Sequence, residues 1–113
     1  MTILEFDTQE REGMAHVHLR GELDLASAER VERELERVES DRPELIVLDL
    51  SGLTFLDSTG LRLIVTADQR ARQSDRRLAV IKGPATVQRV FSITKLDERL
   101  TMVDNESELQ AAG

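Results

Sequence analysis

Two adjacent hydroxyl residues, Ser58 and Thr59, held between Asp57 and Gly60, are the residues of this chain best placed to do chemistry. They end the segment Asp49-Leu50-Ser51-Gly52-Leu53-Thr54-Phe55-Leu56-Asp57-Ser58-Thr59-Gly60-Leu61, which leads from an apolar run into an amphipathic one. A small hydroxyl at the start of helical periodicity has two uses. It caps the helix by accepting a bond from a free backbone N–H, a role open to either Ser58 or Thr59. It also leaves room for a phosphate without unfolding, because a phosphate at a helix N-terminus meets unpaired N–H groups and the positive end of the macrodipole. Phe55 and Leu56 set bulky apolar side chains beside the hydroxyls. At least one exposed would offer a partner an anchor, although Phe55 also fits as a plug beneath the loop. Gly60 leaves the first turn uncluttered.

Other chemistries find little support. Ser58 lacks the Gly-x-Ser-x-Gly elbow of a serine hydrolase, and no Gly-rich phosphate loop is present. His16 and His18 share a face at i,i+2, yet no cysteine and no clear third ligand accompanies them, so they read as surface-strand bystanders rather than a zinc set. No catalytic residue, metal ligand or cofactor is therefore expected, and the chain does not read as an enzyme.

Composition narrows the partners. The 113 residues carry 15 Lys plus Arg against 22 Asp plus Glu, a net charge of −7, which disfavours nucleic acid because that binding rests on cations neutralising phosphates. With 0 Cys, thiol catalysis, Cys-ligated zinc and disulfide scaffolding are excluded, which suits a reducing cytosol. The start, Met1 to Asp7, has neither the basic residues nor the apolar run of a secretory signal. Apolar stretches such as Leu45 to Leu48 fall far short of the roughly 20 residues of a membrane span. A cytoplasmic protein free of membrane is expected.

The elements that must position the hydroxyls follow from periodicity. Ile3 to Phe6 and Met14 to Arg20 read as a hairpin across the polar segment Asp7 to Gly13, turning near Glu12-Gly13; in the second strand Ala15, Val17 and Leu19 share one face. Ala28, Val31, Leu35 and Val38 mark a helix from about Ala26 to Glu39 whose outer Glu/Arg face is solvated. Leu45 to Leu50 is a buried central strand, and Ser51 to Asp57 reads as a loop. Leu61, Ile64, Val65, Ala67 and Ala71 mark a helix from near Ser58 to near Gln73. Arg77 to Ile81 is a further strand, and Pro84 stands at the first position of a third helix with Val87, Val90 and Phe91 inward. Thr101 to Val103 reads as an edge strand, with Asp104 capping a last helix through Ala112. The order predicts an α/β fold, with a mixed four- to five-stranded sheet flanked by about four helices, residues 1–113 forming one domain.

At this point the residues carry a likeness. The run Leu45 to Leu63, centred on Asp57-Ser58-Thr59-Gly60, resembles the signature of STAS-domain anti-sigma factor antagonists, small bacterial switch proteins. Gly21-Glu22-Leu23-Asp24 resembles the family's other recurring motif, and the element order agrees over essentially the whole chain. The resemblance implies that Ser58 is phosphorylated by an anti-sigma factor that doubles as an ATP-dependent serine kinase. The unphosphorylated protein would bind that partner and free its sigma factor; phosphorylation would abolish binding, and a serine phosphatase would restore it. Asp57 matches the acidic residue before the acceptor, and Thr59 sits where the family has Ser or Thr. The same likeness puts Gly21, Glu22 and Asp24 near the partner surface, whereas Leu23, an apolar residue at a strand end, reads more simply as core. Together with Phe55, Leu56, Asp57, Ser58, Thr59 and Gly60 they form the expected partner-binding set. The sequence departs from the pattern at Lys95, where the family often has Gly as a helix stop.

Two other readings fit an α/β domain of this size. A receiver domain phosphorylated on Asp needs an acidic Mg²⁺ cluster and a late-strand lysine, for which Asp49, Asp57 and Lys82 are the available residues. The second is a binding module of the same fold that docks onto a transporter ATPase or a stress-signalling complex, with Ser58 as a contact and never a phosphoacceptor.

Overall fold

A computed structural model describes residues 3–112 of the chain. Five strands, β1 (Leu4–Arg11), β2 (Met14–Leu23), β3 (Leu45–Leu56), β4 (Arg77–Ile81) and β5 (Thr101–Val103), alternate after the opening hairpin with four helices, α1 (Ala28–Ser40), α2 (Ser58–Gln73), α3 (Ala85–Ile93) and α4 (Ser107–Ala112). The sheet order is β1-β2-β3-β4-β5. Only β1 runs antiparallel to its neighbour; the other pairs are parallel. This is the mixed α/β sheet that the alternating pattern predicts.

The hairpin closes between Arg11 and Met14, and both turn residues, Glu12 (φ 49°) and Gly13 (φ 82°), take positive φ, as a type I′ turn requires. β1 continues well past the expected end at Phe6. Its polar second half, Asp7 to Arg11, pairs with Met14 to His18 along an outer edge, where charged side chains also discourage pairing with another chain.

Larger still is the difference in β3. The expected loop Ser51–Asp57 is strand as far as Leu56, its register against β2 shifting between His18 and Arg20 and again between Gly21 and Glu22. Those irregularities bury Leu53 and Leu56, three residues apart. Period-2 alternation is broken there, which hides the strand from a pattern search.

One sheet face carries Ala15, Val17, Leu19, Ile46, Leu48, Leu50, Leu78 and Val80 into a core shared with Val31, Leu35 and Val38 of α1, Leu61, Ile64 and Ala67 of α2, and Val87 and Phe91 of α3. α1 starts two residues later than its periodicity suggests, because Asp24 to Ser27 form a turn of their own: Asp24 Oδ1 accepts from the Ser27 N–H at 3.1 Å, and the Ser27 hydroxyl donates to the Glu22 carbonyl at 3.0 Å. The outer face of α1 is not simply solvated. Arg70 of α2 reaches Glu32 at 2.9 Å and grips Glu39 through two 2.8 Å bonds, tying the helices together.

Pro84 caps α3 instead of opening it, a one-residue difference of the size helix ends commonly show. Lys95 terminates that region with φ 61°, adopting the left-handed conformation for which glycine is the usual choice. Before α4 the Ser107 N–H is accepted by Asn105 Oδ1 at 3.0 Å, and Glu108 accepts from Asp104 and Asn105; Asp104 is not the cap. Among the described residues, no helix is long and apolar enough to cross a membrane.

Candidate functional site

β2 and β3 run parallel and finish side by side, with Glu22 opposite Phe55 and Leu23 opposite Leu56. Each chain then enters a helix, so the residues after both strand ends share the carboxyl edge of the sheet, where open α/β sheets build their sites. Asp57 joins the two connections. Its N–H donates to the Leu23 carbonyl at 3.2 Å. One carboxylate oxygen accepts from the Gly60 N–H at 3.0 Å, capping α2, and the other accepts from the Leu25 N–H at 3.0 Å.

The expectation that Ser58 or Thr59 is the cap is thus corrected. An aspartate outcompetes the hydroxyls because its two oxygens satisfy two donors at once, and the bonds to an ionised acceptor are the stronger kind. Ser58 becomes the first residue of α2 with an exposed side chain, while Thr59 is half-buried.

Two residues of the expected surface lie in the interior. Leu56 is 5% exposed. Gly60 is buried under the same loop, where a Cβ would stand 2.7 Å from both Leu23 Cγ and Leu56 Cδ1. Neither is open to solvent at this edge. Phe55, at 47% exposure, is the apolar residue that reaches solvent. Asp24 spends its carboxylate on Ser27, and Gly21 holds φ 101°, where a side chain would collide with the Ile3 carbonyl. Gly21, Glu22 and Asp24 are all partly exposed at this edge.

Leu25, 75% exposed, and Ile3, 60% exposed, escaped the sequence reading. Leu25 was findable, as an apolar residue outside the helical spacing that begins at Ala28. Ile3 was not, since only the pairing of its carbonyl with the Glu22 N–H at 3.2 Å brings it here. Three of the four large apolar residues exposed among those described, Ile3, Leu25 and Phe55, therefore gather at the edge that carries Ser58; Ile93 is the fourth.

With this geometry in hand, the comparisons decide the family. Residues 5–109 match the family model of the STAS domain. The chain is a STAS domain of the anti-sigma factor antagonist family. It is 34% identical over 74 residues to the anti-sigma-F factor antagonist RsfB of Mycobacterium tuberculosis, a stretch covering 66% of this chain and 61% of that one. This STAS domain thus aligns with about three-fifths of that relative's length. Against an anti-sigma F factor antagonist of Paenibacillus polymyxa it is 30% identical over 104 residues, covering 91% and 89% of the two chains.

Among solved structures, an anti-sigma factor antagonist from Mycobacterium paratuberculosis superposes with a TM-score of 0.87 at 22% identity, covering 97% and 93%. The anti-sigma factor antagonist SpoIIAA superposes in its unphosphorylated form with a TM-score of 0.80 at 19% identity, covering 96% of each chain. The phosphorylated form of SpoIIAA, described as a Bacillus cell fate determinant, gives 0.74 at 18% identity, covering 96% and 100%.

The receiver arrangement is not assembled in this STAS domain. Lys82 pairs with Asp104 at 3.3 Å, and both carboxylate oxygens of Asp57 are committed to backbone donors.

Proposed function

We propose that this STAS domain is a phosphorylation-gated partner switch in the cytoplasm: unphosphorylated, it binds an anti-sigma factor that is also a serine kinase and so frees a sigma factor, and phosphorylation of Ser58 ends that binding. The observation that carries the reading is the division of labour between Asp57 and Ser58. Because Asp57 takes the cap, the exposed Ser58 hydroxyl is available at the mouth of α2 without cost to the helix.

In the transfer, Ser58 Oγ attacks the γ-phosphorus of ATP held by the partner, the bond to the β-phosphate oxygen breaks and ADP leaves. The hydroxyl proton passes to a base on the kinase. ATP, Mg²⁺ and base all belong to the partner, so the domain itself is substrate rather than enzyme. The product places about −1.5 to −2 charges beside Asp57, on a chain already at −7. The helix N-terminus tolerates them; a partner packed on Phe55 and Leu25 does not, because the phosphate must be desolvated or repelled at the contact. Losing about 3 kcal/mol there weakens affinity roughly 100-fold. That SpoIIAA has this fold both with and without its phosphate supports a switch working through surface chemistry. A serine phosphatase resets it.

The test is incubation with the cognate kinase and ATP, read by mass spectrometry and a binding assay. Ser58→Ala stays bound and unmodified, Thr59→Ala is still phosphorylated, and Ser58→Asp binds poorly. A protein left unmodified at Ser58, or a Ser58→Asp variant that binds like wild type, overturns the reading in favour of a docking module that uses Ser58 only as a contact.

A further inference from the structure

Away from the Ser58 edge, the sheet face opposite the α1–α3 core carries a cluster that the switch does not use. Strand alternation puts His16 and His18 on that face, and the register of β2 against β3 sets Asp49 directly beside His18. This is the third ligand that sequence spacing alone did not supply. Asp49 Oδ2 lies 3.2 Å from His18 Nδ1 and 3.7 Å from His16 Nε2, and one ligand atom from each residue falls within 4.8 Å of the others.

We propose that His16 Nε2, His18 Nδ1 and Asp49 Oδ2 form a binding site for a divalent transition-metal ion of the zinc type. A tetrahedral ion with bonds of about 2.0–2.1 Å has ligand-to-ligand edges of about 3.3–3.4 Å, so the 3.7 Å between His16 Nε2 and Asp49 Oδ2 has only a few tenths of an ångström to close. His16 is the anchor. Its side chain is 9% exposed, and its Nε2, aimed at Asp49, is buried without a hydrogen-bond partner among the described residues. A buried donor or acceptor left unsatisfied is uncommon and calls for an explanation. A metal supplies one.

The other nitrogen of His16 supports the same assignment. Nδ1 lies 3.3 Å from Glu106 Oε1, in the segment leading into α4. A carboxylate on the far nitrogen of a liganding imidazole fixes its tautomer and raises its basicity, the usual outer contact of a histidine bound to zinc. Two imidazoles with one carboxylate suit zinc or its first-row neighbours, whereas Ca²⁺ and Mg²⁺ favour oxygen ligands alone.

The rings lie stacked, 4.0 Å between centroids and 11° between planes. Coordination by both therefore requires His18, 31% exposed, to turn out of the stack about its χ2. A surface cavity of about 670 Å³ lined by both histidines, Arg11, Arg77, Glu44 and Glu106 gives an ion its approach. Asp49 sits seven residues before the end of β3, roughly 20 Å below the Ser58 edge at strand rise, so this site stands or falls independently of the phosphorylation reading.

The chain has 2 His and 0 Cys, which makes the test direct. Tag-free full chain is titrated with ZnCl₂ by calorimetry and with Co²⁺ by visible spectroscopy. The expected result is one equivalent bound, with d–d bands of the intensity of a tetrahedral ion, and loss of both in His18→Ala, whose partly exposed ring can be removed without emptying the core. Asp49→Asn should lose binding as well, and Glu106→Gln should weaken it by about tenfold while keeping the spectrum. No saturable binding in wild type, or binding that survives His18→Ala and so rests on scattered surface carboxylates, overturns the site. Circular dichroism of His18→Ala separates loss of metal from loss of fold.

Discussion

Asp57 rather than Ser58 bears the structural load at the mouth of α2, and the two residues should fail differently. Asp57→Ala removes a cap, worth about 1 kcal/mol, together with the bond that holds Leu25; we expect it to lower unfolding free energy by about 1–3 kcal/mol in urea titration. Ser58→Ala should fall within about 0.5 kcal/mol of wild type, as an exposed change away from any special feature. Phe55→Ala and Leu25→Ala should likewise spare the fold, since both side chains already face solvent, yet each should weaken partner binding about tenfold or more by surface plasmon resonance if they are the anchors of the interface. Ser58 was legible from its position before an apolar period. That Leu56 and Gly60 turn inward was not, because a bulge decides which way each residue after Gly52 points and no local pattern records it.

At the scale of elements, tight contact between the β2 and β3 ends and the first turn of α2 fixes the site. Gly60→Ala tests this. Helix propensity alone favours alanine by up to about 1 kcal/mol, but here its methyl would press on Leu23 and Leu56 at 2.7 Å and on the Leu23 carbonyl at 3.0 Å. Overpacking of this kind costs about 1–3 kcal/mol, so the variant should melt lower despite its better propensity. An unchanged or raised melting temperature would mean the turn is looser than these contacts imply.

Most elements were readable in the sequence because one physical rule governed each. α1 and α2 show their 3.6-residue stripe, β4 its continuous apolar run, and the Glu12-Gly13 turn its characteristic residues. Elements shaped by more than one rule were misjudged. β1 is polar beyond Phe6 because an edge strand has nothing to bury there, and β3 loses its alternation at the bulge. α1 starts late because Asp24 and Ser27 compete for the backbone.

Across the whole molecule, paired carboxylates set the pH range of stability. The bond from Arg37 holds Glu34 below its ordinary value of 4.5, against partial burial and with help from Thr8; Asp49 is also depressed. A carboxylate depressed in the folded state stabilises it above the unfolded pKa, and that contribution is lost as pH falls through the folded value. The urea midpoint should therefore hold from neutrality to about pH 5 and decline below 4.5, and Glu34→Gln should flatten part of the decline. The same net negative charge makes the phosphate an addition to an already acidic body, so its effect is expected at the partner's contact and not in the fold.

Affinity for the kinase partner, measured by titration calorimetry on the wild-type protein before and after stoichiometric phosphorylation at Ser58, tests that expectation most directly. The account predicts a fall of about 100-fold or more with circular dichroism and melting temperature essentially unchanged. Equal affinity for the two forms, or a loss of affinity that accompanies unfolding, would contradict it.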